Sequence, residues 1–271
     1  MKITEERIEE GGVKRTSFTL EVAGESVPGV IWAPEGAKGP RPLIIQGHGG
    51  SQHKKTDGIV ARARQYARRH GWASMALDAP GHGDRITREQ AAAQAADVGA
   101  RVRGIAPPPG TPVVNEAERM NQFMARLGSA VPELNAALAA VQTLDFIGAG
   151  EKIGYWGVSM GTMIGVPFVA QCPQITCAVF GLAGLRAGAA AMEEQAKSIT
   201  IPVEYVFQWE DAVAPREAGL ALFHAFGSAE KTMHINPGGH MDIPNFEGPS
   251  WERFYLRHLG VAADARSVVR A

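Results

Sequence analysis

The sequence predicts an α/β protein with a mostly parallel, eight-stranded sheet and helices on both of its faces. From residue 42 onward, short apolar runs alternate with segments of helical periodicity, and this alternation is typical of parallel strands joined by right-handed crossovers. Before that point, residues 16–22 and 27–34 read as two extended segments around a turn, which predicts an antiparallel hairpin. Hydrophobic residues make up 45% of the chain and charged residues 20%, so the chain can bury a large core.

The remaining elements follow from local patterns. Apolar runs bounded by glycine, proline or polar residues predict strands at 42–46, 73–78, 153–158, 175–181, 202–207 and 231–235. Helical patterns between them predict helices at 57–70, 131–148, 160–171, 187–196, 215–226 and 249–259. Since α/β chains of 271 residues are routinely single domains, one domain is expected over residues 1–271. In such a sheet, ligands bind at the C-terminal ends of the strands.

Residues 84–130 interrupt the alternation. They contain an Ala-rich polar stretch, the Pro-rich run 105–112 and a helical pattern at 115–127, and together they are too long for a plain loop. One interpretation is a surface insertion, and the other is a lid over the ligand pocket. The lid is favoured because the insertion leaves from a loop at the C-terminal end of a strand.

The charge balance excludes two classes of partner. The chain has 27 Lys and Arg against 28 Asp and Glu, and its net charge of −1 provides no field that would attract nucleic acid or an anionic membrane. A small-molecule substrate is therefore expected. The N-terminus is charged where a signal peptide is apolar, and no run approaches the roughly 18 apolar residues that span a bilayer, so a cytoplasmic location is expected. The sequence leaves a homodimer open.

The segment Gly157-Val158-Ser159-Met160-Gly161 lies between a predicted strand and a predicted helix, which is the context of a G-x-S-x-G nucleophile elbow. Small residues flank the serine because a side chain at either glycine would strike the neighbouring strand or helix. The alternative is a Gly-rich turn in which Ser159 caps the helix. The flanking strand and helix favour Ser159 as a nucleophile.

With these features the chain resembles the α/β-hydrolase superfamily over about residues 27–259. Residues 200–215 look like the penultimate strand of that family with its acid in the next loop, which implies Asp211. Residues 233–240 look like the last strand and its histidine loop, which implies His240. The resemblance thus implies a triad of Ser159, Asp211 and His240, in which the imidazole takes the serine proton and the carboxylate fixes the imidazole.

Other carboxylates and histidines are also candidates for the acid and the base of the triad. Glu210 is the rival acid, although it is one residue nearer the strand and could face solvent. Asp242 follows the histidine too closely to be preferred. His234 falls in a predicted strand and His224 on a predicted helix, so both are interpreted as structural.

Three further groups of residues are assigned from the resemblance. The loop after residues 42–46 resembles the HG motif of the family, which implies that the backbone N–H groups of Gly50 and Met160 form the oxyanion hole. Residues 78–83 resemble its D-x-P-G-H-G turn, and no chemical step is assigned there. Trp209, Met120 and Phe123 are candidates for the lining of the substrate pocket, against the alternative that they belong to the core.

The resemblance implies a serine hydrolase of the dienelactone-hydrolase-like and small-esterase branch, a carboxylesterase that forms an acyl-enzyme on Ser159. Dienelactone hydrolases carry cysteine at the elbow, so their lactone substrate is not carried over. The alternatives are a C–C or amide hydrolase with the same triad, and a noncatalytic binding protein of the same fold. No cofactor motif and no cluster of metal ligands is apparent, so no cofactor and no metal are expected. The sequence does not define the substrate, the acyl-chain preference or the stereoselectivity.

Overall fold

The computed structural model of the protein describes residues 1–106, 116–186 and 188–262. Its strands are β1 Lys2–Glu9, β2 Val13–Val22, β3 Glu25–Pro34, β4 Leu43–Gly47, β5 Ala73–Leu77, β6 Ile153–Gly157, β7 Ile175–Gly181, β8 Val203–Gln208 and β9 Lys231–Asn236. Its α-helices are α1 Asp57–His70, α2 Arg88–Val102, α3 Glu116–Arg126, α4 Ala130–Val141, α5 Met160–Gln171, α6 Ala190–Ser198, α7 Arg216–Ala225 and α8 Glu247–Leu259.

The described strands form one sheet in the order β1-β2-β3-β5-β4-β6-β7-β8-β9. β1, β2 and β3 form an antiparallel meander, and β3 pairs with β5 in antiparallel orientation. All pairs from β5 to β9 across the sheet are parallel. The predicted mixed α/β fold with a mostly parallel sheet is therefore confirmed.

Helices cover both faces of the sheet, because successive side chains of a strand point to opposite faces. On one face, α1 and α8 pack onto a cluster that includes Trp156 of β6. On the other face, α4, α5, α6 and α7 pack onto the larger cluster, which includes the neighbouring Tyr155. No helix in the described part of the chain is long and apolar enough to cross a membrane.

The predicted strand number is wrong, since the described residues form a sheet of nine strands. The additional strand is β1, whose side chains are exposed along nearly its whole length, so it carries no apolar face that a hydrophobic pattern could reveal. Backbone pairing with β2 and cross-strand ion pairs hold it in place instead. Lys14 Nζ lies 2.6 Å from Glu6 Oε1, and Arg15 bonds to Glu5.

The segment between β5 and β6 contains two helices before α4. The Ala-rich stretch, for which no helix is predicted, forms α2, and a capping box begins it: Gln90 N–H donates to Thr87 Oγ1 while Thr87 N–H donates to the Gln90 side chain. The predicted helix 115–127 corresponds to α3. The predicted helix 131–148 ends early, at Val141, and the Thr143 hydroxyl donates back to the Ala140 carbonyl in the turns that follow.

Candidate active site

Ser159 occupies a sharp turn between β6 and α5. Its backbone φ of 57° and ψ of −119° lie outside the regions that residues other than glycine ordinarily adopt. Its N–H donates to the Gly181 carbonyl at 2.8 Å. Both flanking glycines are sterically required. A Cβ on Gly157 would lie 2.7 Å from the Gly161 carbonyl oxygen, and a Cβ on Gly161 would lie 2.7 Å from the Gly47 carbonyl oxygen. The turn thus has the geometry of a nucleophile elbow.

Asp211 follows β8, His240 follows β9, and the structure brings both to Ser159. His240 Nδ1 lies 2.7 Å from Asp211 Oδ2, and His240 Nε2 lies 2.9 Å from Ser159 Oγ. Because a carboxylate can only accept a hydrogen bond, His240 Nδ1 is the donor to Asp211. His240 Nε2 then faces the Ser159 hydroxyl as an acceptor. The other carboxylate oxygen of Asp211 accepts from the N–H groups of Val213 and Ala214 at 2.7 and 2.8 Å. Both carboxylate oxygens are therefore engaged.

The two rival acids lie elsewhere. Glu210 is exposed and accepts a hydrogen bond from the Gly238 N–H. Asp242 is also exposed, and its Oδ2 accepts from the Gly239 N–H at 2.7 Å. Both carboxylates accept from the backbone of the loop that carries the histidine, whereas the carboxylate that accepts from the imidazole itself is Asp211.

The two residues assigned to the oxyanion hole line the same cavity as Ser159. Met160 is the first residue of α5, and the first N–H groups of an α-helix have no partner within the helix. Gly50 lies in the turn after β4, and a Cβ there would meet Val98 of α2 at 3.8 Å. Both amides lie just beyond the C-terminal ends of parallel strands, Gly50 after β4 and Met160 after β6, which is where the oxyanion hole is predicted.

His48 holds the loop after β4. It is 2% exposed, its Nε2 accepts from the Ala79 N–H at 3.0 Å, and its Nδ1 donates to the Gly49 carbonyl at 2.8 Å. Burial lowers the pKa of His48 from 6.5 to about 4, because the buried ring loses the water that would stabilise its charged form. The neutral imidazole thus joins the loop after β4 to the loop after β5.

A cavity of about 1280 Å³ opens above Ser159 and His240. Of the three residues predicted to line it, Phe123 does so, whereas the side chain of Met120 lies outside the described residues. Trp209 is 42% exposed, its ring lies under the Arg216 guanidinium at 3.6 Å, and the structure places it outside the described lining of this cavity. An aromatic residue directly after a strand can face either side of the loop, and the sequence does not distinguish the two.

Most of the residues that form the cavity wall were not among the candidates predicted from the sequence. Helix α2 contributes a row of side chains at helical spacing, namely Gln94, Asp97, Val98, Arg101 and Val102. Their spacing of three to four residues is typical of one face of a helix. Because alanines surround them, the sequence does not indicate which face of that helix lies against the cavity. Side chains of α2 and α3 thus line the cavity, while the choice between a lid and a surface insertion stays a prediction.

Asp84 and Arg85 do not pair with each other. The carboxylate of Asp84 pairs with the ammonium of Lys54, which also contacts the buried Asp78. Arg85 forms two hydrogen bonds with the buried Glu133 at 2.7 and 3.1 Å, which attaches the start of the insertion to α4. The ion pair between Lys54 and Asp78 is not apparent from the sequence, because the two residues are 24 positions apart and no local pattern relates them.

Several solved structures that resemble this chain are esterases. One is a PEG-bound cold-adapted esterase from an Arctic intertidal metagenomic library, with 30% identity, a TM-score of 0.76, and coverage of 96% of this chain and 100% of that one. A zinc-bound structure of a cold-adapted esterase from the same kind of library has 26% identity and a TM-score of 0.70, with the same coverage of both chains. An acetyl xylan esterase from Paenibacillus sp. R4 has 14% identity and a TM-score of 0.69, covers 95% of this chain and 88% of that one, and shares the fold.

No protein-family model matches the sequence, and no curated protein matches it either. The structural neighbours, the mostly parallel sheet and the strained serine turn between β6 and α5 agree with one another. The chain belongs to the α/β-hydrolase superfamily.

Proposed function

We propose that this protein is a serine hydrolase that cleaves carboxylic esters of small molecules through an acyl-enzyme on Ser159. The observation that carries the proposal is the continuous hydrogen-bonded path from Ser159 Oγ through His240 to Asp211, with distances of 2.9 and 2.7 Å. The esterase activity of the structural neighbours supports the choice of bond. The path ends in a cavity of a size suited to small-molecule ligands.

In the acylation step, Ser159 Oγ attacks the ester carbonyl while His240 Nε2 takes the hydroxyl proton. Asp211 keeps the imidazole in the Nδ1–H tautomer and stabilises the imidazolium that forms. The imidazolium then donates its proton to the leaving alkoxide, the C–O bond of the ester breaks, and the acyl group stays on Ser159.

In the deacylation step, water occupies the place of the alcohol. His240 accepts a proton from water, the hydroxide attacks the acyl carbonyl, and the imidazolium returns the proton to Ser159 Oγ as the carboxylic acid leaves. In both steps the carbonyl oxygen carries a negative charge, which the N–H groups of Met160 and Gly50 stabilise. The loss of one such donor typically raises a barrier by about 2.7 to 4 kcal/mol.

The charges of the cavity wall favour an ester that carries a negative charge away from the carbonyl. Among the described residues that line the cavity, the charged side chains are four arginines and the carboxylate of Asp97; the arginines are Arg62, Arg101, Arg126 and Arg186. Burial lowers the pKa of Arg62 to about 10, which leaves it charged at neutral pH. A surplus of positive charge around a cleft raises the local concentration of anionic substrates.

The preference for an anionic ester is tested with 4-nitrophenyl acetate against the 4-nitrophenyl monoester of succinate. We expect Arg126→Gln to lower kcat/KM for the succinate ester by about twofold to fivefold, as for a solvent-exposed charge, and to leave the acetate ester unchanged. Arg88→Gln is the matched control, because Arg88 is exposed at the start of α2 and outside the described cavity wall. Equal losses for the two esters would contradict the proposed substrate class.

The catalytic proposal is tested with Ser159→Ala and a fluorophosphonate probe. We expect the variant to lose 4-nitrophenyl acetate and butyrate hydrolysis by about 10⁶-fold, down to the level that binding and the oxyanion hole alone provide. Mass spectrometry of the labelled wild type should place the probe on Ser159. Ser198→Ala, which changes an exposed serine at the end of α6, should keep both activity and labelling.

Two other outcomes would contradict ester hydrolysis. Labelling of Ser159 without turnover of any ester would favour the C–C or amide hydrolase alternative. Neither labelling nor turnover in a folded protein would favour a noncatalytic binding protein.

A further inference from the structure

A second cluster of ionisable side chains lies on the face of the sheet that α8 covers. It consists of Glu204 from β8, His234 from β9 and Glu247 from the start of α8. One ligand atom of each residue lies within 4.8 Å of the other two. His234 Nδ1 is 2.8 Å from Glu247 Oε2 and 3.9 Å from Glu204 Oε1, so the imidazole nitrogen faces both carboxylates.

The cluster is short of positive charge at its centre. Glu204 is 5% exposed, and its Oε1 is buried with no hydrogen-bond partner among the described residues. Glu247 is 1% exposed, and its Oε1 accepts from the side-chain amide of Asn236 at 2.8 Å. A buried carboxylate oxygen without a partner is costly, and one imidazole cannot neutralise two carboxylates. The unpartnered oxygen of Glu204 is therefore available to bind a cation.

Two cations act on Glu204 from outside the cluster. They are Arg253 and Arg257 on α8, and both side chains are exposed. Arg257 already bonds to Glu230 at 3.0 Å. These arginines reduce the negative potential of the cluster, but the hydrogen-bonding capacity of Glu204 Oε1 remains unused.

We propose that Glu204, His234 and Glu247 bind a divalent transition-metal cation such as Zn²⁺. Two carboxylates and one neutral imidazole balance the charge of a divalent cation, and imidazole nitrogen with carboxylate oxygen is a donor set that suits zinc. In a tetrahedral site with ligand distances of about 2.0 to 2.1 Å, ligand atoms lie about 3.3 to 3.4 Å apart. The separations of 2.8 and 3.9 Å from His234 bracket that value, and all three ligand atoms lie within 4.8 Å of one another, so the carboxylates would close around a bound cation.

The remaining requirements of a metal site are also met. The Asn236 amide holds the carboxylate of Glu247 in place, as groups that orient metal ligands commonly do. The side chain of His234 is 32% exposed, so water can reach the cation and occupy a fourth position. Asn236 and Glu247 also bound the segment 237–246, which carries His240, so the cation would fix both ends of the loop of the proposed catalytic histidine.

The test measures Zn²⁺ binding to the full chain by competition with a chromophoric chelator after dialysis against EDTA. We expect one Zn²⁺ per chain in the wild type, and Glu204→Gln and His234→Gln should each weaken binding by about 100-fold or more. Even the loss of a group that only orients a ligand weakens metal affinity by about 10- to 100-fold. Zn²⁺ should also raise the unfolding temperature of the wild type and not that of either variant, because a ligand of the native state stabilises it.

Two matched controls separate this site from other histidines. His224→Gln changes a histidine on α7, outside the cluster, and should bind Zn²⁺ like the wild type. His240→Gln removes the proposed catalytic histidine and should also keep Zn²⁺ binding, so the result does not depend on the proposed function. No Zn²⁺ binding by the wild type, or binding that is lost in His240→Gln and kept in Glu204→Gln, would overturn the proposal. Circular dichroism confirms that each variant is folded.

Discussion

The same two parallel strands, β8 and β9, position two different groups of histidine and carboxylate side chains. Asp211 and His240 follow the C-terminal ends of β8 and β9, whereas Glu204 and His234 lie within those strands. Each imidazole Nδ1 has a short contact with a carboxylate: His240 bonds to Asp211 at 2.7 Å, and His234 bonds to Glu247 of α8 at 2.8 Å, while Glu204 lies 3.9 Å from His234. The two arrangements differ in what surrounds that bond.

In the proposed catalytic pair, all the partners are present within the chain. Both carboxylate oxygens of Asp211 accept hydrogen bonds, and the second ring nitrogen of His240 reaches Ser159. In the other cluster, a second carboxylate takes the place of a proton donor, and Glu204 Oε1 is left without a partner. The difference between the proposed sites is therefore in the third group: a hydroxyl beside the imidazole suits proton transfer, whereas a second carboxylate suits a cation.

The largest expected effect tests the proton-transfer role directly. Asp211→Asn should lower kcat by about 10⁴-fold, the loss known for the same replacement in a serine protease, because the amide favours the wrong imidazole tautomer. Ester hydrolysis at saturating substrate measures it. Glu210→Gln, the exposed neighbour, should change kcat little. If both variants lost activity equally, the assignment of the acid would be wrong.

The next effect concerns His48, a buried histidine whose two ring nitrogens both bond to backbone groups, the Gly49 carbonyl and the Ala79 N–H. Its pKa is about 4 in the folded chain and 6.5 when unfolded, so between these values the unfolded state binds the proton and stability falls as the pH falls. The full contribution is about 3 kcal/mol. In urea unfolding, the loss of stability between pH 7.5 and 4.5 should therefore be about 2 to 3 kcal/mol smaller for His48→Gln than for the wild type.

The control for this measurement is His53→Gln, which changes an exposed histidine of the same loop. Its loss of stability over the same pH range should match that of the wild type. Parallel curves for His48→Gln and the wild type would contradict the neutral, buried state of His48.

A smaller effect separates the two histidine sites. Gly161→Ala forces a Cβ to within 2.7 Å of the Gly47 carbonyl oxygen, so the elbow must shift, and we expect a loss of about 1 to 3 kcal/mol in the free energy of unfolding. Ester hydrolysis should fall as well, while Zn²⁺ binding at Glu204 should stay unchanged. In Gly248→Ala the new Cβ meets nothing within 4 Å, so that variant should be at least as stable as the wild type. Equal stability of the two variants would argue against a strained elbow.

The smallest effect concerns an ion pair at the surface. Glu6→Gln removes the ion pair between Glu6 of β1 and Lys14 of β2, whose side chains are 46% and 33% exposed, and the free energy of unfolding should fall by less than about 1 kcal/mol. Added salt should remove the difference from the wild type. Glu21→Gln is the control at the exposed end of β2. A loss of several kcal/mol would mean that β1 depends on this pair more than its exposure indicates.

Much of the proposed site could be predicted because its members fall in sequence motifs. The elbow around Ser159 is contiguous, and Asp211 and His240 each follow a strand that its apolar pattern reveals. The structure places the three side chains within hydrogen-bonding distance in the expected order. Strand β1 was missed because pairing rather than burial holds it, and hydrophobic patterns report burial alone.

The sequence by itself determined the parallel α/β architecture, the strained turn at Ser159 and the candidates for acid and base, since each depends on short-range patterns and on chain order. Only the tertiary structure decided that α2 lines the cavity, that Trp209 lies outside its described wall, and that Glu204, His234 and Glu247 meet. These outcomes depend on which faces of separate elements pack together. Residues that are far apart in the chain become neighbours through packing, and no local pattern encodes that contact.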